Sequence, residues 1–316
     1  MADAVQNSLD IVHLAGLLKA GRLVAFPTET VYGLGADATN SEAVLGIYET
    51  KGRPRFNPLI VHCADQQMAE TLAEFSPLAR RLAQFWPGPL TLVLPRKPGA
   101  NLSDLVTAGL DTVAVRVPAH PLALALIRAA GTPLAGPSAN PSGKLSPTTA
   151  EQVIKGFQGL VPVLDGGPCT SGVESTIVAV EGGTATQLRA GALPRREIEA
   201  AIGQPVAIAA QNAAVAAPGM LASHYAPNAK LRLGATAPRP GEAYLAFGPA
   251  PANPLGPLRN LSPAGDLREA ARNLFSMLHE LDALAEAIAV APIPHAGLGE
   301  AINDRLRRAA APRPRA

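Results

Sequence analysis

Lys51-Gly52-Arg53-Pro54-Arg55-Phe56-Asn57-Pro58 places three cations and an amide within seven residues. Two prolines and a glycine restrict the backbone there, and such a loop suits an anion held at close range. The chain also offers Thr30, His62, Arg116, Ser138, Asn140, Ser146, Ser175 and Arg189. Together these groups are cations and neutral hydrogen-bonders, with few carboxylates. That composition fits a site that binds phosphate and stabilises developing negative charge, with little acid–base chemistry by protein groups. Arg116 interrupts the apolar alternation Thr112-Val113-Ala114-Val115-Arg116-Val117. A buried arginine needs a partner, either an internal carboxylate or a ligand's carboxylate or phosphate. His62, at a strand end, is either a satisfied core histidine or a substrate contact.

Common signatures of nucleotide, metal and hydrolase sites are missing from the sequence. Neither the GxxxxGK(S/T) loop nor a GxGxxG turn between strand and helix occurs, so a bound nucleotide is not held by either common phosphate loop. No HExxH, no paired Cys/His ligands and no GxSxG elbow are present, and no metal ligand is named. Cys63 and Cys169 stand far apart without CxxC spacing. They read as reduced thiols in or near a core.

These residues are expected at the ends of strands in an α/β fold. Ser8 caps a first helix that stops at Gly21. Leu23–Phe26 is a buried strand, and the hydroxyl- and glycine-rich run 27–35 follows it as a loop, where open α/β sheets place ligands. A helix over Ser41–Thr50 delivers Lys51 and Arg53. Strands are expected at 58–62, 90–94, 112–118, 161–164, 175–178 and 186–189. Helices are expected after Asp65 and Ser76, over 121–130, from Ser146 and from Pro194. The run 134–143 again puts small, hydroxyl and amide residues straight after an apolar strand.

The length, 316 residues, allows two domains. With 47% apolar and 16% charged residues the chain is globular. A net charge of +2 argues against a protein that mainly coats nucleic acid. No signal region and no run of ~18 apolar residues occurs, so no membrane association is expected and a cytoplasmic location is. Composition shifts over 204–228. The expected organisation is a catalytic domain at 1–203, a linker or lid at 204–228, and a small α/β domain at 229–316. The latter has strands at 230–233, 243–247 and 287–290, a long helix over 266–284 and a terminal helix. Arg305, Arg307, Arg308, Arg313 and Arg315 read as a solvated helix end and tail.

Several runs, in order, resemble the YrdC/Sua5 family: Phe26-Pro27-Thr28-Glu29-Thr30-Val31-Tyr32-Gly33-Leu34, Lys51-x-Arg53, Asn57-Pro58-Leu59 and Ser138-x-Asn140. Ser223-His224-Tyr225-Ala226-Pro227 and Gly297–Arg305 are similar to the long, two-domain Sua5 form. The resemblance implies a YrdC-like twisted mixed open sheet with flanking helices, joined by a linker to a small Rossmann-like α/β domain. The implied activity is threonylcarbamoyl-AMP synthesis: L-threonine, bicarbonate and ATP, with Mg²⁺ carried by the ATP, give threonylcarbamoyl-adenylate and pyrophosphate. Other proteins would then transfer the threonylcarbamoyl group to an adenosine of tRNAs.

By the same resemblance, Lys51, Arg53, Ser138 and Asn140 are the catalytic set. Thr30, His62, Arg116 and Ser175 hold threonine. Arg53, Asn57, Thr112, Ser138, Ser146, Arg189 and Tyr225 hold the nucleotide. The linker is expected to fold back as a lid that brings Tyr225 to the nucleotide. Two readings compete. One is a carbamoyltransferase of hydrogenase maturation, which the length and the two cysteines oppose. The other is an RNA-binding module of the same fold; weak RNA contact is kept as a partner expectation.

Overall fold

In the computed structural model, residues 2–210, 217–218, 224–250 and 255–312 are described. The first domain runs α1 (Ala2–Lys19), β1 (Val24–Phe26), β2 (Gly33–Asp37), α2 (Ser41–Lys51), β3 (Ile60–His62), α3 (Gln66–Leu72), α4 (Pro77–Leu82) and β4 (Leu90–Pro95). It continues through α5 (Asp104–Thr107), β5 (Thr112–Arg116), α6 (Pro121–Ala130), β6 (Leu134–Ala135), α7 (Ala150–Gly156), β7 (Thr176–Glu181), β8 (Thr184–Arg189), α8 (Arg195–Ile202) and β9 (Ala207–Ile208). The nine strands form one mixed sheet in the order β1-β2-β6-β3-β5-β4-β7-β8-β9.

Register decides where the chemistry sits. β3 and β5 are parallel, with His62 beside Arg116. β4 is antiparallel to β5 and parallel to β7, with Leu90 beside Thr176. β8 returns antiparallel to β7, with Arg189 beside Ile177. The C-terminal ends of β3, β5 and β8 and the N-terminal ends of β4 and β7 therefore share one end of the sheet. Ser138 joins them through a bridge to Gly33.

Local chemistry explains the elements that carry these ends. Asn40 caps α2 by accepting from the Glu42 and Ala43 amides, and Gly52 ends it in the left-handed region at φ 59°. Asp65 and Ser76 cap α3 and α4. Pro121 opens α6 and Gly131 closes it.

The second domain comprises β10 (Lys230–Arg232), β11 (Ala243–Ala246), β12 (Leu258–Asn260), α9 (Leu267–Asp282), β13 (Ala287–Val290) and α10 (Leu298–Ala310). Its sheet is parallel throughout, in the order β10-β13-β11-β12. Asp266 caps α9, whose buried Ala270, Ala271, Leu274, Phe275, Leu278 and Leu281 form one apolar stripe. One core cluster crosses between the domains: Val31, Leu145 and Val173 of the first pack with Tyr225, Leu274, Phe275, Leu278 and Leu306.

Several sequence expectations are corrected. α1 begins at Ala2 and not after Ser8. The run 27–35, expected to be a loop, supplies β2 from Gly33 onward, paired antiparallel with β1. Val161–Leu164 forms only an isolated bridge, Ala25 to Val163, since Pro162 has no amide hydrogen to continue a ladder. The helix expected from Ser146 starts at Ala150, capped by Thr149. Strands β9 and β12 were not foreseen. β9 pairs with β8 inside the expected linker, so the first sheet reaches Ile208. Residues 211–216 and 219–223 of that linker, including Ser223, lie outside the described residues. So do Arg313 and Arg315.

Candidate active site

The sheet end carries a cleft bordered by Thr30, Arg53, His62, Arg116, Ser138, Ser175, Arg189 and Tyr225, among others. These are eight of the thirteen residues expected from the sequence. Thr28, Glu174, Pro218 and His224 border it too. The cleft opens to solvent at its mouth; its cavity is about 40 Å³, within a total free space of about 500 Å³ that includes the mouth. Pro218, His224 and Tyr225 border it from between the domains.

Lys51 stands just behind the wall. It is the last residue of α2, where a cation meets the negative end of the helix dipole. Its Nζ donates to the Ser138 carbonyl at 2.6 Å and to the Asn140 carbonyl. Burial, then Arg53, hold the Lys51 ammonium well below its ordinary pKa. Arg53 donates from Nε to the Asn57 carbonyl and from Nη2 to the Pro58 carbonyl. Burial lowers its pKa to about 10. Its Nη1 makes no hydrogen bond among the described residues. The Lys51–Pro58 and Ser138–Asn140 loops are thus joined through the Lys51 ammonium.

Arg116 has found an internal carboxylate. Its Nη2 donates to Glu29 Oε1 at 2.7 Å and its Nε to the Gly88 carbonyl at 3.2 Å, which leaves Nη1 without a hydrogen bond among the described residues. His62 is buried with Nδ1 unpartnered, and burial with Arg116 lowers its pKa to about 3. The close approach requires Gly136, because a Cβ there would lie 2.9 Å from that nitrogen. The Thr28 hydroxyl donates to the Val31 carbonyl at 2.6 Å. With that proton used, its 2.8 Å contact to Thr30 must be donated by Thr30. Thr30 Oγ1 therefore keeps its lone pairs as an acceptor. Arg189 donates to the Ser175 carbonyl and hydroxyl and to the Pro218 carbonyl.

Other expected residues are placed differently. Asn140 spends its amide hydrogens on the Pro141 and Lys144 carbonyls. It shapes the loop, and both amide hydrogens are used within it. Asn57 is buried with Oδ1 unpartnered. Ser146 is buried and gives its hydroxyl hydrogen to Glu174 Oε1 at 2.6 Å. Thr112 is not brought together with the rest. It starts β5, four residues and about 13 Å of strand from Arg116, though alternation puts both on one sheet face.

Glu174, His224 and Arg305 were missed. His224 has Nδ1 unpartnered and a pKa lowered to about 3 by burial. Its pairing with Tyr225 was the available signal. Arg305 overturns its reading as part of a solvated helix end. It is 1% exposed, and its Nε donates to Glu174 Oε2 at 2.7 Å. Its guanidinium lies 5.0 Å from the Tyr225 ring centre.

Residues 16–191 match the family profile Sua5_yciO_yrdC, described as "Telomere recombination". Residues 193–311 match that of the "Threonylcarbamoyl-AMP synthase, C-terminal domain". The chain belongs to the Sua5/YciO/YrdC family. Within that family it is 43% identical to the threonylcarbamoyl-AMP synthase of Bacillus subtilis, covering 96% of this chain and 94% of that one. It is 42% identical to the Pyrococcus abyssi threonylcarbamoyl-AMP synthase, over 93% and 92% of the two chains. The crystal structure of P. abyssi Sua5 complexed with L-threonine superposes with a TM-score of 0.86 at 40% identity, covering 95% of this chain and 94% of that one. Sua5 family membership thus extends through both domains.

Proposed function

We propose that this chain is a threonylcarbamoyl-AMP synthase, joining L-threonine, bicarbonate and ATP. The observation that carries the reading is one cleft whose wall holds Arg53, Arg116 and Arg189 beside the Thr30, Ser138 and Ser175 hydroxyls. It lies in a chain similar over nearly its whole length to a relative crystallised with L-threonine.

The threonine carboxylate would meet Arg116 Nη1, with Glu29 and Gly88 fixing the guanidinium plane. Thr30 Oγ1 would accept from the amine, and His62 and Ser175 would complete that subsite. The amine nitrogen bonds to the bicarbonate-derived carbon to give a carbamate, with loss of water. A carbamate oxygen then attacks the α-phosphorus, and the bond to the bridging oxygen breaks to release pyrophosphate. Negative charge gathers in both steps. Arg53 Nη1 would neutralise it directly. An arriving anion favours the charged form of Lys51, which burial otherwise disfavours. Ser138 would donate to the same oxygens, and Asn140 would act through the loop it shapes.

Asn57, Arg189 and Tyr225 would border the nucleotide, and Ser146 would act by holding Glu174. A nucleotide lying along the β5 face would reach Thr112. Among the described residues no cluster of His, Cys, Asp and Glu could hold a metal. Glu174, the carboxylate bordering the cleft, has both oxygens taken by Ser146 and Arg305. Mg²⁺ would therefore arrive on the triphosphate and supply charge neutralisation there.

A 40 Å³ cavity is far below the roughly 300–1,000 Å³ of ligand sites. The segment carrying Pro218, His224 and Tyr225 would therefore open for entry and close over the adenylate, limiting its hydrolysis. The product would pass to tRNA threonylcarbamoyl-transfer proteins, in the cytoplasm. No helix among the described residues is long and apolar enough to cross a membrane.

The test is pyrophosphate release by the purified full-length chain with ATP and Mg²⁺. Release that requires both L-threonine and bicarbonate is expected. Release indifferent to either, or none with both, overturns the reading.

A further inference from the structure

The Glu174 carboxylate borders a cleft built for anions and is itself buried, with 7% side-chain exposure. Left alone it would oppose a carbamate and a triphosphate. Burial would also raise its pKa, but Arg305 first and then Arg189 outweigh that and hold it below the usual carboxylate range. Arg189 is the other cation in reach, and its own hydrogen bonds hold Ser175 and Pro218. Without Arg305, the nearest compensation for Glu174 is Arg189, pulled away from those partners.

The second domain grips this wall at three further points. Gly172, at φ 73°, lies so close to α9 that a Cβ would sit 2.3 Å from the Arg272 carbonyl oxygen. His279 Nε2 lies 3.3 Å from the Ser146 carbonyl. Val173 and Tyr225 share one core cluster with Phe275 and Leu306. The loop carrying Glu174 is therefore seated on the second domain and not only on its own sheet.

We propose that Arg305 is a positioning residue supplied by the second domain, neutralising Glu174 so that Arg189 stays on Ser175 and Pro218 and the cleft accepts anionic substrates. This gives the second domain a direct part in the first domain's chemistry. It rests on the adenylate-forming reading above.

The test compares wild type, R305M, R305K and the double variant R305M/E174Q in the full-length chain. Pyrophosphate release is followed against ATP and against L-threonine. ATP binding is measured by calorimetry without turnover, so the inference is read even where the reaction fails. R305M should weaken ATP binding and raise its KM by about tenfold or more with kcat changed far less, because an uncompensated carboxylate opposes the bound anion in ground and transition states alike. R305K, which keeps the charge, should fall between. The double variant removes both charges and should return ATP affinity to within about threefold of wild type.

A merely structural role would lower the folded fraction and leave the affinity of the remainder unchanged. R305M with wild-type ATP affinity overturns the proposal, and so does a double variant as weak as R305M. Where R305M does not fold, the double variant decides alone: near-wild-type affinity supports the proposal, and a loss of about tenfold overturns it.

Discussion

Two buried guanidinium–carboxylate pairs flank the cleft, and they tie together different parts of the chain. Arg116–Glu29 joins β5 to the loop after β1, at 2.7 Å and with side-chain exposures of 4% and 10%. Arg305–Glu174 has the same 2.7 Å separation, with exposures of 1% and 7%, but it joins α10 of the second domain to the wall of the first. The first pair forms when one domain folds. The second exists only when both domains are docked. Buried pairs often contribute little net stability compared with an apolar replacement, whereas breaking one is costly. What the two pairs share is placement: each fixes a group bordering the cleft. The difference is that one wall is built in and the other depends on a neighbour.

The contrast is sharpest when single and paired substitutions are set side by side. Arg116→Met leaves Glu29 buried and uncompensated, and should lower unfolding free energy by about 3–5 kcal/mol in a denaturant titration. Replacing both partners, R116M/E29Q, should restore most of that stability but not threonine-dependent turnover, since Arg116 is the group proposed to meet the threonine carboxylate. The interdomain double variant R305M/E174Q should restore stability and ATP affinity together. Equal behaviour of the two doubles would erase the distinction.

Tyr225→Ala removes a ring packed against His224, Phe275 and Arg305. It should cost about 3 kcal/mol in the same titration and raise the KM for ATP. Tyr225→Phe keeps the ring and should cost under about 1 kcal/mol. If alanine left both stability and ATP affinity unchanged, Tyr225 would not belong to the site.

Acid should act on both regions. His62 in the built-in wall and His224 in the closing segment each have a folded pKa of about 3, lowered by burial from the ordinary 6.5. Between those values the unfolded chain binds more protons. Stability is therefore fully present above pH 6.5 and falls with acidification, by about 2 kcal/mol per histidine from pH 6.5 to 5. His224→Gln should flatten that slope in thermal unfolding followed against pH, and an unchanged slope would contradict the burial.

The smallest effect belongs to the exposed interdomain pair Arg268–Glu197, with side chains 78% and 48% exposed. Arg268→Ala should change stability by under about 0.5 kcal/mol. A larger loss would mean that docking rests on surface charge and not on the buried pair.

Much of this was readable from local chemistry. Asn40 and Gly52 delimit α2, Pro121 and Gly131 delimit α6, an apolar run marks β4 and alternation marks β5. The Lys51–Pro58 loop marked where buried cations gather, and Arg116 announced a buried partner without naming Glu29. Resemblance then supplied Tyr225, which the structure places at the cleft, and Thr112, which it places a strand length away. Short strands were hidden: β2 is built from small residues, while β9 and β12 span two and three residues. Glu174 and Arg305 stand 131 positions apart. No periodicity or spacing connects them, because tertiary docking alone brings them together.

The central claim is that the cleft makes a mixed anhydride from carbamate and AMP. Its most direct test is mass analysis of the nucleotides formed by the full-length chain with ATP, Mg²⁺, L-threonine and isotopically labelled bicarbonate. The account predicts threonylcarbamoyl-AMP carrying the label, formed in step with pyrophosphate and absent when threonine is withheld. ATP cleavage without a labelled adenylate, or no nucleotide product at all, would contradict it.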